Sequence, residues 1–203
     1  RLVYMLCRLP IQPAQINLRH RAHGCCTIAP TAGTAGGLLK GHLMRLLNKV
    51  AVVTGAQQGI GAAIVEAYAR EGANVVLNWL DDESGATEVA TRARAHGVSV
   101  EMIRGDVSKS SDIEAMLDLA QTLGGLDIMV NNAAIYPRVA LLDMRESDFD
   151  GLMSVNLRGT FLGMQRAAQR MVAGNKPGII INLSSRAAVA GAVSGGVHYV
   201  ASK

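Results

Sequence analysis

The sequence predicts an α/β chain built on a doubly wound parallel sheet, and three observations carry that expectation. Strand and helix patterns alternate along residues 44–203. A glycine-rich turn joins a short apolar run to an amphipathic segment at Lys49–Gly61. Polar residues of binding or catalytic type recur where the predicted strands end, at Thr54/Gly55, Asp106, Asn131 and Ser185. In open α/β sheets that is the edge where ligands sit.

The elements follow in order. Lys49–Thr54 contains β-branched and small apolar residues, the pattern of a strand buried on both faces. Gly55, Gly59 and Gly61 come next, and then Ile60, Ile64, Ala67 and Tyr68 recur at helical spacing. Asn74–Trp79 reads as the second strand, with a helix from about Glu83 to Ala95. Val98–Arg104 reads as the third strand. Ser111-Asp-Ile-Glu114 has the form of a capping box, leading into Ile113, Met116, Leu117 and Ala120 on one helical face. Leu126–Val130 is the fourth strand, Glu146–Ala173 one long helix, Gly178–Leu183 the fifth strand, and a last helix begins near His198.

Residues 1–43 break this order. Pro10, Pro13, Pro30 and five glycines interrupt every periodic pattern, so a non-globular leader is expected before a single folded unit at 44–203. Three readings of the leader stay open: upstream sequence without a role, a targeting peptide, or a metal site from His20, His23, Cys25 and Cys26. Arginine with no acidic residue suits the second, and the absence of serine counts against it. Adjacent cysteines do not reproduce the spacing of structural zinc, so no metal is expected.

The whole chain carries 20 Lys+Arg and 16 Asp+Glu, net +4. Five of the bases and none of the acids lie in 1–43, which leaves 15 against 16, net −1, in 44–203. The basic balance belongs to the leader, and the folded part has no nucleic-acid footprint. No apolar stretch reaches the roughly 18 residues that would span a membrane. All three cysteines lie in 1–43, so the folded part uses neither disulfide nor thiol, which suits a reducing cytoplasm.

The glycine turn suits a pyrophosphate, with backbone drawn close and the helix N-terminus presenting positive charge. At the far end stands Tyr199-Val-Ala-Ser-Lys203. Residues four apart share a helical face, so phenol and ammonium can address one substrate. A free phenol, with a pKa of about 10, exchanges protons poorly at neutral pH, and a cation held beside it favours the phenolate.

Five ordered motifs make the chain resemble the single-domain branch of the short-chain dehydrogenases/reductases, in the manner of 3-oxoacyl-carrier-protein reductases and glucose dehydrogenases. They are Thr54-Gly-x-x-x-Gly-x-Gly61, Asp106-Val107, Asn131-Asn132-Ala133-Ala134, Asn156 in Ser-Val-Asn-Leu-Arg-Gly, and Ser185 ahead of Tyr199 and Lys203. The resemblance covers about residues 44–203 and implies a Rossmann-like fold, incomplete at its C-terminal end. It further implies an oxidoreductase that interconverts a carbonyl and a secondary alcohol by hydride transfer with NAD or NADP. Tyr199 would move the proton, Lys203 would assist it and hold the nicotinamide ribose, Ser185 would hold the substrate oxygen, and Asn156 would anchor a water. Ser184 is the weaker choice of the two serines.

For the cofactor the resemblance points to Gly55, Gln57, Gln58, Gly59, Ile60 and Gly61 at the pyrophosphate. Asp106, Val107, Asn132, Ala133 and Ala134 join them on the adenine side, with Tyr199 and Lys203 at the nicotinamide. The acid that would take the adenosine ribose is replaced by Trp79, with Asp81 and Asp82 just beyond. Those carboxylates would repel a 2′-phosphate, and NAD is favoured with Asp81 as the discriminating residue. Partners implied are a small-molecule substrate and further copies of the chain, as dimer or tetramer. Two departures from the family pattern are Ala134 in place of glycine and a Ser185–Tyr199 spacing one residue long. The competing reading is a non-catalytic, dinucleotide-binding regulatory protein on the same fold.

Overall fold

A computed structural model describes residues 4–9, 44–191 and 196–203. Its elements are β1 (Tyr4–Leu9), β2 (Val50–Val53), α1 (Gly59–Arg70), β3 (Asn74–Trp79), α2 (Glu83–Arg94), β4 (Val100–Arg104) and α3 (Ser110–Thr122). They continue with β5 (Ile128–Asn131), α4 (Glu146–Met153), α5 (Thr160–Ala173), β6 (Gly178–Leu183), α6 (Ala187–Ala190) and α7 (Val197–Ser202). The sheet runs in the order β1-β6-β5-β2-β3-β4. Strands β2 to β6 are mutually parallel, as a chain of βαβ crossovers requires.

The apolar runs explain the layering. Every residue of β2 and β5 is buried, because helices cover both faces of the sheet. On one face Val65 and Ala69 of α1 and Val89, Ala90 and Ala93 of α2 pack on Ala51, Val53, Val75 and Leu77. On the other, Ile113, Met116 and Leu117 of α3 and Leu162, Ala167 and Met171 of α5 pack on Val52, Val76 and Met129. Alternate residues of one strand thus feed opposite cores.

Three expectations are corrected. A strand, Tyr4–Leu9, lies within the segment read as non-globular, and pairs antiparallel with β6 from Tyr4↔Leu183 to Leu9↔Gly178. An open sheet edge offers unpaired backbone groups to any extended segment, and backbone pairing carries no requirement for a periodic sequence. The leader residues His20, His23, Cys25 and Cys26 lie outside the described residues. The second correction is the Ser111–Glu114 capping box. Helix α3 starts at Ser110, so Ser111 already lies in the first turn and donates to Asp112, while Glu114 pairs with Arg166 and Arg170 of α5.

The third is the long helix at 146–173, which is interrupted by a π-helical segment, Ser154–Gly159. Such widened turns occur chiefly at functional sites. Two close approaches place the break. A Cβ on Gly159 would lie 2.9 Å from Val107 Cγ2, and one on Gly163 would lie 2.1 Å from Asn131 Oδ1. The helix is pressed against the strand ends at both points, and the hydrophobic periodicity continues through it without a mark.

The opposite edge of the sheet is held by Asp127. Its carboxylate is 5% exposed and accepts from Val50 N at 2.9 Å, Lys176 Nζ at 2.9 Å and Lys49 Nζ at 3.2 Å. Asp127→Ala would strand the Val50 amide and leave two ammonium groups without their buried partner. Urea unfolding should show a loss of about 3 kcal/mol, with the slope against denaturant unchanged.

Candidate active site

The glycine turn after β2 is set by steric need at two positions. Gly55 takes φ +60°, and a Cβ there would come within 2.8 Å of Ala133 Cα. Gly61 is more crowded still, since a Cβ would lie 2.5 Å from Gly55 O and 2.7 Å from Asn132 Nδ2. The turn is locked from both sides. Asn78 Oδ1 accepts from Gly55 N at 3.1 Å, and Asn132 Nδ2 donates to Thr54 O and Gly55 O, each at 2.9 Å. Thr54 Oγ1 accepts from Asn132 N and Ala133 N. Gln58 stands at the N-cap of α1 in extended conformation with no side-chain cap, which leaves the first-turn amides without a side-chain acceptor.

Beside this turn opens a cleft of about 420 Å³. Its walls bring together residues from four separate strand ends: Gly55, Gln57, Gln58 and Ile60 after β2, Leu80 and Asp81 after β3, Asp106 and Val107 after β4, and Asn132, Ala133 and Ala134 after β5. Ten residues assigned to the cofactor from sequence thus meet in one cavity. Asp106 accepts from Ser108 N and Oγ, and its own amide donates to Asp112. The Asp106 amide, with the Ser111 hydroxyl beside it, holds the Asp112 carboxyl below the usual carboxylate range.

Trp79 does not line the cleft. Its side chain packs against the α1/α2 core, with the Arg104 guanidinium 5.9 Å from its ring centroid. Strand alternation decides this, because β3 residues point by turns to the two faces, and the cleft wall passes to Leu80 and Asp81. Asp82 is also redirected, since its carboxylate accepts from Gly85 N at 2.9 Å and caps α2. Of the two carboxylates read as facing a 2′-phosphate, Asp81 alone lines the cleft.

The second cluster gathers around α7. Lys203 Nζ lies 5.8 Å from the centre of the Tyr199 ring and donates to Leu183 O at 3.1 Å. Burial holds the Lys203 ammonium below the ordinary lysine range. Asn156, 2% exposed inside the π-helical segment, accepts from Ile135 N and donates to Ile135 O and to Ser202 Oγ. Ser202 Oγ donates in turn to Tyr199 O at 2.8 Å, so one buried amide ties the widened turn, the segment after β5 and α7 together. The two serines are bonded differently. Ser184 Oγ is spent on Lys203 O at 2.8 Å, whereas Ser185 Oγ accepts from Ala187 N and keeps its own proton to give.

Three residues in this region escaped the sequence reading. Tyr136 packs tilted against Tyr199 with ring centroids 4.3 Å apart, and the Arg138 guanidinium lies 5.6 Å from the centre of the Tyr136 ring. Gly196 makes room for it, since a Cβ there would lie 2.8 Å from Tyr136 Cε2. Asn78 is buried in a strand and also donates to Gly105 O, joining the glycine turn to the end of β4. His198, 1% exposed, sits on α7, which packs on α4. Tyr136 lies in an irregular segment without periodicity, and a lone Asn or His on an apolar strand or helix carries no spacing signal.

Comparison with known proteins agrees with this geometry. The family model described as short chain dehydrogenase matches residues 49–203. The chain is 41% identical over 143 residues to a 3beta-hydroxysteroid dehydrogenase 1 of Eggerthella lenta, covering 69% of this chain and 54% of that protein. It is 39% identical over 142 residues to a glucose 1-dehydrogenase 2 of Bacillus subtilis, covering 69% and 55%. Among solved structures, a short-chain type dehydrogenase/reductase from Mycobacterium marinum superposes with TM-score 0.75 at 35% identity, over 79% of this chain and 66% of the other. A short chain dehydrogenase from Burkholderia cenocepacia in complex with NADP does so with TM-score 0.69 at 31% identity, over 78% and 64%. The chain therefore spans little more than half the length of these two curated relatives.

Proposed function

The chain belongs to the short-chain dehydrogenase family, and on that premise we propose that it is the dinucleotide-binding and proton-transferring part of an oxidoreductase that interconverts a carbonyl and a secondary alcohol. The observation that carries the reading is a cleft along the glycine turn at the sheet edge together with the Tyr199–Lys203 pair, in which Lys203 bonds to Leu183 O two residues before Ser185.

The residues present fit a nicotinamide dinucleotide. Without a Cβ, Gly55 and Gly61 let the turn close on Ala133 and Asn132 into a tight backbone cradle, the α1 N-terminus has amides without a side-chain cap for a pyrophosphate, and the cleft continues from Asp81 to Ala134. When bound, the dinucleotide supplies or accepts the hydride. Tyr199 gives its hydroxyl proton to a substrate carbonyl oxygen in reduction, or takes one from an alcohol in oxidation. Ser185 donates to the same oxygen and steadies the charge that gathers there. Lys203, fixed by Leu183 O, keeps a cation at the face of the Tyr199 ring. Asn156 and Ser202 hold α7 from its C-terminal end and through Tyr199 O, so that the phenol keeps its place. Tyr136 backs the ring from the other side.

Asp81 favours NAD. A carboxylate accepts hydrogen bonds from a ribose diol and repels a 2′-phosphate, which carries close to two negative charges. Titration of NADH and NADPH against the fluorescence of Trp79, the one tryptophan of the chain, should show tighter binding of NADH, and Asp81→Ala should narrow the difference. Equal affinities in the parent would refute the choice of NAD.

A further inference from the structure

Two glutamines follow Gly55 and Ala56, and they behave differently. Gln58 is exposed and caps nothing with its side chain. Gln57 spans the cleft wall. Its Oε1 accepts from Leu80 N at 2.9 Å, and its Nε2 donates to Asp81 Oδ1. One carboxamide therefore fastens the phosphate-binding turn after β2 to the chain leaving β3. The backbone is close here as well, since a Cβ on Gly85 of α2 would lie 3.0 Å from Gln57 O.

Asp81 has no ion pair among the described residues, and Gln57 is the side chain that holds it. An exposed aspartate at the end of a strand would otherwise distribute itself over several rotamers. Fixing it before a ligand arrives removes that ordering cost from the binding step. The bond also engages a single carboxylate oxygen, which leaves Oδ2 to meet a ligand. Neighbouring Asp82 cannot substitute, because its carboxylate is committed to Gly85 N.

We propose that Gln57 is a positioning residue for dinucleotide selectivity: its carboxamide holds Asp81 with one oxygen turned into the cleft, where it accepts from a ribose diol and opposes a ribose 2′-phosphate. The proposal rests on the NAD reading above. Release of the clasp lets the carboxylate swing into solvent, which weakens the attraction to the diol and the repulsion of the phosphate together. The two affinities then converge. A residue that merely shaped the cleft would move both affinities in the same direction and leave their ratio alone.

The test is a set of Trp79 fluorescence titrations with NADH and NADPH on the full chain, as the parent, Gln57→Ala, Gln57→Met, Asp81→Ala and the Gln57→Ala/Asp81→Ala double variant. Gln57→Met keeps the length of the side chain, loses both the acceptor for Leu80 N and the donor to Asp81 and adds no charge to the cleft, so it carries the test if the alanine variant fails to fold. Both Gln57 variants should reduce the ratio of NADPH to NADH dissociation constants about fivefold, and Gln57→Ala should change it no further once Asp81 is alanine. A parent that discriminates and an Asp81→Ala variant that does not, beside Gln57 variants that keep the parent ratio, would overturn the role of Gln57 and leave the NAD reading standing. Additive effects in the double variant would overturn it too. A parent without discrimination, or with discrimination untouched by Asp81→Ala, would overturn the assignment of Asp81 and the proposal together.

Discussion

Tyr199→Phe should reduce carbonyl turnover of the full-length enzyme by at least 10²- to 10⁴-fold, the usual worth of a positioned general acid or base, while dinucleotide affinity stays within about twofold. The separation follows from the geometry. The cleft is walled by residues 55, 57, 58 and 60, 80–81, 105–107 and 132–135 with Asn78 and Val155, and Tyr199 is not among them. The phenylalanine ring would keep the stack on Tyr136 and the place above Lys203, so the change removes one oxygen and little packing. Ser185→Ala should cost less, because the role proposed for Ser185 is to support the substrate oxygen and not to move the proton. Steady-state rates with a reactive diketone, read beside the fluorescence titration, measure both quantities. A Tyr199→Phe enzyme that keeps most of its turnover would remove the proposed mechanism and bring forward the reading of a non-catalytic dinucleotide binder.

Gly61→Ala should have the second-largest effect. The added methyl would meet Gly55 O, Asn132 Nδ2 and Ala56 Cα, all within 2.8 Å, and two of these are backbone atoms that cannot turn aside. Relief requires α1 to retreat from the turn or the Asn132 bonds to Thr54 O and Gly55 O to break. Overpacking of this kind costs about 1–3 kcal/mol, and the lost bonds add to it. Thermal unfolding should report the destabilisation, and dinucleotide affinity should fall about a hundredfold as the cradle opens. Gly59→Ala makes a useful contrast. Its Cβ would meet nothing within 4 Å, so only the strain of a φ of +58° applies, and the loss of stability should be smaller.

Much of this molecule was legible in the residues themselves. The parallel sheet followed from the buried apolar runs, and β3 and β6 fell where periodicity placed them, at Asn74–Trp79 and Gly178–Leu183. The glycine turn, the strand-end motifs and the Tyr199–Lys203 pair were readable because each rests on local geometry: a turn that needs glycine, a strand that ends in a polar residue, a helix that brings i and i+4 together.

What the tertiary structure decided is where local geometry is silent. Strand alternation turns Trp79 into the core and leaves Asp81 at the cleft, where a bond from Gln57, 24 residues away, meets it. Asn156 acquires its place through Ile135 and Ser202, 21 and 46 residues away, and the widened helical turn around it follows from those contacts and from the press of Gly159 on Val107. Tyr136 matters because Gly196 leaves space for its ring against Tyr199. The pairing of Tyr4–Leu9 with β6 is of the same kind, since a backbone ladder joins residues 169 to 179 positions apart on the strength of amide and carbonyl groups that every sequence possesses.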